Sequence, residues 1–160
     1  MVYDPDIHHR RSIRLIGYDY SQSGAYFITI CTHNRECIFG EIIDRVMNYN
    51  ELGNIARSYW QNLARHHPSI EIDEWIVMPN HLHGIIIIYE SSKPISEIIG
   101  GFKTFSARQI NKSLDRKGYP LWQRNYYEHI IRSEDELNNV RQYMINNPTN
   151  WDTDKNNINL

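Results

Sequence analysis

The chain has 160 residues, 41% of them hydrophobic and 22% charged, with a formal net charge of −2, which suits one folded domain with its own core. A balance this close to neutral leaves no global basic footprint, so any contact with nucleic acid has to be local. Cys31 and Cys37 are too few for a disulfide framework and lack a second pair for zinc, so the expectation is a cytoplasmic protein with reduced thiols. No apolar stretch is long enough to span a membrane, and the opening residues have no signal-peptide character.

Residues 1–24 are polar and irregular. Within them His8-His9-Arg10-Arg11-Ser12-Ile13-Arg14 forms a basic cluster, which reads as a solvated tail or as a phosphate-contacting arm. Ala25 to Thr32 is rich in β-formers and apolar on both faces, the pattern of a central strand. Cys37 to Ile43 is a short second strand or edge segment. Leu52, Ile55, Ala56, Tyr59, Trp60 and Leu63 follow helical spacing, predicting an amphipathic helix over about 50–66 with Asn50 as its N-cap. Pro68 closes it.

Ile70 to Met78 is the next strand. It turns through Pro79-Asn80 into His81-Leu82-His83-Gly84 and a run of four isoleucines. Side chains alternate along a strand, so His81 and His83 share one face while Leu82 and Gly84 share the other. The turn is expected to leave the pair at a sheet edge near solvent. Alone, the HxH pair reads either as ordinary polar residues at a strand mouth or as two ligands of a metal that needs a third.

Ile95, Ile98, Ile99, Phe102, Phe105 and Ile110 give a second amphipathic helix. Its polar face and the loop beyond carry Lys103, Arg108, Lys112, Arg116 and Lys117 against Asp115, a basic patch or a solvated helix face. Leu121 to Arg132 is an aromatic-rich loop entering a short strand, a pattern that suits single-stranded nucleic acid or a core edge. Ser133-Glu134-Asp135-Glu136 is a capping box for a helix that Pro148 ends. Leu137, Val140 and Met144 form its core stripe. Tyr143 and Asn147 are four apart, hence neighbours on one face; taken alone they read as a packing aromatic and a C-terminal cap. Residues 152–160 are expected to be a flexible tail on a single domain of 1–160.

The ordered set Met78-Pro79-Asn80-His81-Leu82-His83, Trp122-Gln123-Arg124-Asn125-Tyr126-Tyr127-Glu128-His129 and Tyr143-Met144-Ile145-Asn146-Asn147-Pro148 resembles the single-tyrosine HUH transposases, and among them the REP-associated tyrosine transposases. The opening Arg11-Ser12-Ile13-Arg14-Leu15, Tyr18-Asp19-Tyr20 and the stretch from Gly24 to Thr32 are similar to the start of one branch of that family, and the likeness runs from about residue 10 to 151. It implies an α+β fold, an antiparallel sheet with helices packed on it in the ferredoxin-like or RRM-like manner. By the same resemblance His81 and His83 bind a divalent metal (Mg²⁺ or Mn²⁺), Asn147 is a further ligand and Tyr143 is the nucleophile. Tyr126 and Tyr127 rank second, lacking a ligand-type residue at helical spacing. The implied reaction cleaves and rejoins single-stranded DNA near a hairpin through a 5′-phosphotyrosine, with no nucleotide cofactor and no P-loop. Arg10, Arg11, Arg14, Lys103, Arg108 and Lys112 are the candidate phosphate contacts, and Trp122 and Arg124 the candidates to stack on or position the strand. The rival readings are a domesticated hairpin binder without efficient cleavage and a hydrolytic metal-dependent nuclease. Relatives include dimers and monomers, so a homodimer stays open.

Overall fold

Four antiparallel strands form the main sheet in the order β4-β5-β1-β6: β4 Ile70–Met78, β5 His81–Ile88, β1 Gly24–Cys31 and β6 Tyr127–Ile131. The computed structural model describes residues 23–89 and 93–158. Arg10, Arg11 and Arg14 lie outside the described residues. In chain order the sheet strands and the helices between them run β-α-β-β-α-β, and the first strand lies between the third and the fourth, as in ferredoxin-like folds. The expected α+β class is what the chain adopts.

One face of the sheet is apolar and covered by two long helices, α1 Glu51–Gln61 and α3 Ile95–Ser113. Tyr26, Ile28 and Ile30 of β1, Leu82, Ile86 and Ile88 of β5 and Ile130 of β6 pack there against Ala56, Trp60, Ile98, Phe102 and Ile110. Gly84 lies under Trp60, where an added Cβ would stand 2.3 Å from Trp60 Cζ2; only glycine lets the indole rest on the strand. The first helix is capped as predicted, Asn50 Oδ1 accepting from Gly53 N at 2.9 Å. It breaks at Asn62, so the predicted 50–66 segment is two pieces, α1 and the single turn α2 Leu63–His66. Gly100 and Gly101 do not interrupt α3.

A hairpin of β2 Gly40–Ile43 and β3 Val46–Tyr49 stands apart from this sheet. β3 is absent from the sequence reading. The opposite face of the main sheet carries α4, Glu134–Ile145. Phe27, Ile85, Ile131 and Met144 form a second, smaller core beneath it. Ser133 Oγ accepts from Glu136 N at 3.1 Å, as a capping box requires. The Glu136 carboxylate reaches one residue further back than expected, to Arg132 N at 3.1 Å. It also meets His129 of β6. At the other end of the helix Arg141 forks onto Asp73 of β4, Nε to Oδ1 and Nη2 to Oδ2 both 2.7 Å. The helix therefore crosses the sheet and is tied to both edge strands. No helix among the described residues is long and apolar enough to cross a membrane.

Candidate active site

Strand alternation puts Phe27, Thr29, His81 and His83 on the α4 face. Thr29 of β1 stands directly opposite His83, and Cys31 opposite His81. The imidazole rings are 4.6 Å apart between centroids. Contrary to the expectation of a pair near solvent, both are buried: His81 is 0% and His83 3% exposed. β5 is an interior strand, and α4 together with the segment after it closes over the strand's start. Trp151 is buried with its ring 6.1 Å from that of His81. The sequence reading leaves residues 152–160 as a tail; the described part folds back on the site, with Asn156 and Asn157 buried.

Each imidazole is gripped at Nδ1. His81 Nδ1 is 2.8 Å from Asn80 Oδ1, and His83 Nδ1 is 2.7 Å from Thr29 Oγ1. His83 is also stacked on Phe27, centroids 5.4 Å apart. The Nε2 atoms remain for chemistry. His81 Nε2 lies 3.4 Å from Asn147 Oδ1. His83 Nε2 is buried without a hydrogen-bond partner among the described residues. Burial lowers both imidazoles below the ordinary histidine range, His81 to about 4 with the Asp154 carboxylate opposing the fall, and His83 well below it with His81 adding to the fall. Both rings are thus neutral near pH 7, the form that ligates metals.

Tyr143 and Asn147 sit one turn apart at the end of α4, where Asn147 Nδ2 donates to Tyr143 O at 3.3 Å. Asn147 is 2% exposed and faces the histidines. The Tyr143 ring lies 5.4 Å from His83 and edge-on to Phe27 at 6.3 Å, yet is 44% exposed. A hydroxyl on such a ring can be reached from solvent while the ring stays anchored. Of the rival tyrosines, Tyr127 packs edge-on against Phe27 at 6.1 Å. Tyr126 turns to the other face and donates to Glu128 Oε1 at 3.3 Å. Among the described residues no three His, Cys, Asp or Glu side chains gather. The Asn147 carboxamide oxygen, 3.4 Å from His81 Nε2, could serve as a third protein donor beside the two imidazoles. Two neutral imidazoles, one with an orphaned buried nitrogen, and one amide oxygen suit a borderline divalent ion.

The remaining candidates divide. Trp122 is a core residue: it is 7% exposed, packs on Phe39 and Phe102, and donates its indole N–H to Ser106 Oγ at 3.0 Å. No base can stack on it there, because the bridge between Thr32 and Trp122 fastens this loop to the end of β1. Lys103 is turned inward, its ammonium donating to Gln123 O at 2.8 Å and Arg124 O at 3.1 Å, and burial lowers its pKa. Arg124 itself is exposed. Arg108, 5.6 Å over the Phe105 ring, and Lys112 are exposed on α3. That helix covers the sheet face away from the histidines. A groove of about 910 Å³ between α1, α2 and α3 also opens on that side. Thr29 and Asn80, which grip the imidazoles, escaped the sequence reading. Asn80 was in view within the Pro-Asn turn; Thr29 needs the β1–β5 register, which spans 54 residues.

A family model described as "Transposase IS200 like" matches residues 21–147. An uncharacterized protein of Haemophilus influenzae is 42% identical over 177 aligned positions, covering 96% of each chain. A second protein of that organism, named "Putative REP-associated tyrosine transposase", is 28% identical over 81% of this chain and 73% of its own. Among solved structures, a REP-associated tyrosine transposase bound to a REP hairpin superposes with a TM-score of 0.64 at 23% identity, covering 86% of this chain and 73% of that one. A "putative transposase" from Deinococcus radiodurans gives 0.55 at 20% identity, over 83% and 97%. Both structural likenesses are of fold.

Proposed function

The chain belongs to the IS200-like transposase family, and from that premise we propose that it cleaves and rejoins single-stranded DNA beside hairpins, with Tyr143 as nucleophile. One observation carries this reading: Tyr143, alone among the candidate tyrosines, is half-exposed while its ring stands 5.4 Å from His83.

Tyr143 Oη attacks phosphorus of the scissile phosphodiester. The O3′–P bond breaks as the Oη–P bond forms, leaving a 5′-phosphotyrosine and a free 3′-hydroxyl. The phenolic proton departs to solvent and O3′ takes one up. Attack by that hydroxyl or another reverses the exchange and frees the tyrosine. Bond energy is conserved in the covalent intermediate, so no nucleotide is consumed. His81, His83 and Asn147 would hold a divalent ion, Mg²⁺ or Mn²⁺, which when bound supplies positive charge against the phosphate oxygens. Nitrogen donors favour Mn²⁺ over the oxygen-loving Mg²⁺ in vitro. Phe27 and Met144 keep the His83 side of the site dry, and the docked α4 holds the nucleophile beside it. DNA is the macromolecular partner, the protein acts in the cytoplasm, and exposed Arg108, Lys112 and Arg124 supply phosphate contacts.

The test is a denaturing gel of labelled single-stranded hairpin DNA with Mn²⁺, comparing wild type with Tyr143→Phe. A protein–DNA adduct that vanishes in the variant is expected. Cleavage that persists unchanged in Tyr143→Phe, without an adduct, would establish hydrolysis by the metal site instead. Hairpin binding with no cleavage in either protein would establish a binding module.

A further inference from the structure

Asn80 has no exposed surface, and every polar atom of its side chain is engaged. Its Nδ2 donates to two main-chain carbonyls, Asn156 O at 2.6 Å and Arg35 O at 3.1 Å. A carbonyl can only accept, so the amide cannot flip without setting its oxygen against two others. Oδ1 is therefore the atom facing His81 Nδ1 at 2.8 Å. It too can only accept, so the proton between them belongs to the imidazole. The backbone of Asn80 is fixed as well, its carbonyl accepting from Thr32 N at 2.9 Å and from Thr32 Oγ1 at 3.1 Å.

We propose that Asn80 is a positioning residue that locks His81 in its Nδ1–H tautomer, and that the carbonyls of Arg35 and Asn156 hold it in the orientation that does so. The lone pair of His81 is then committed to Nε2. That atom lies 3.4 Å from Asn147 Oδ1, which is also an acceptor. Two lone pairs face each other with no proton between them, an arrangement that a cation relieves. The segment carrying Asn156 thereby belongs to the site although it supplies no ligand. Arg35 Nη1 reaching Lys155 O at 3.5 Å and Asn157 Nδ2 reaching Trp151 O at 3.1 Å help hold that segment. This inference rests on the metal reading above for its purpose, but not for its geometry.

The two separate experimentally. Long-range ¹H–¹⁵N correlation spectra of the metal-free protein, with ¹⁵N-labelled histidine, read the His81 tautomer directly. Wild type is expected to carry the proton on Nδ1. Asn80→Ala removes the acceptor and should show mixed tautomers or Nε2–H. Mn²⁺ affinity by calorimetry should fall about 10- to 100-fold in Asn80→Ala, the range for partners that orient a ligand. A wild-type His81 protonated on Nε2 overturns the proposal without any variant. So does a folded Asn80→Ala protein with unchanged tautomer and affinity. Nδ1–H in wild type with no Mn²⁺ binding upholds the tautomer lock and overturns the metal reading.

Discussion

Removing the Asp73–Arg141 fork should loosen the helix that carries Tyr143. The two bonds are 2.7 Å each and run from β4 to a residue two before the tyrosine. Charges about 4 Å apart attract by about 1 kcal/mol in water and about 4 at an effective dielectric of 20. Asp73 is 15% exposed but Arg141 is 35% exposed, so solvent screening keeps the pair in the lower part of that range. We expect a coupling of about 1–2 kcal/mol, above surface ion pairs and below buried ones. The assay is a double-mutant cycle of Asp73→Asn and Arg141→Met by urea unfolding at pH 7. The Arg141 guanidinium, aided by the Glu74 N–H, holds the Asp73 carboxyl below its usual range against the opposing effect of burial. Such a group stabilises the fold above the unfolded carboxyl value of about 3.9 and loses that contribution as pH falls through the folded value. The stability gap between wild type and Asp73→Asn should thus be constant near neutrality and shrink by about pH 3. A coupling below about 0.3 kcal/mol at pH 7, or a gap unchanged in acid, would refute the clamp.

Gly84→Ala should cost about 1–3 kcal/mol or more through overpacking against Trp60, read as a fall in melting temperature. Trp122→Ala should cost about 3–5 kcal/mol of stability, as for a core aromatic, and leave the salt dependence of DNA binding unchanged. Arg108→Ala and Lys112→Ala should leave stability alone. If they contact phosphate, each lowers the slope of log affinity against log salt by about 0.7 for single-stranded DNA; an unchanged slope removes α3 from the interface.

What local pattern encodes, the sequence made readable. β-branched runs marked β1 and β5, helical spacing marked α1 and α3, and Asn50 and Ser133 both cap as their types suggest. Of the hairpin, β2 lies within the segment read as a short second strand, but β3 was hidden because the turn residues between them, Asp44 and Arg45, adopt φ of 50° and 65° without the glycine that usually signals such a turn. The burial of His81 and His83 was hidden for another reason. It comes from α4 and from Trp151, which lie some sixty residues further along and meet the strand only in the folded state. Trp122 misled for the same cause: an aromatic beside arginine looks alike whether it faces DNA or Phe102. The pairing of Tyr143 with Asn147, by contrast, needed only one helical turn.

The placement of the site's parts along the chain has a consequence for synthesis. The sheet cannot close until β6 has been made, because β1 pairs with it across about a hundred residues, Thr29 opposite Tyr127. His83 and Asn147 are 64 residues apart (147 − 83), so a ribosome working at about 5–20 residues per second makes the second about 3–13 s after the first. For almost all of that interval a nascent chain carries both imidazoles but neither Tyr143, the carboxamide nor the cover that Trp151 and Asn156 provide. On the proposed mechanism such a chain would hold no nucleophile against a phosphate, and cutting DNA would be reserved to chains whose translation has passed the last helix.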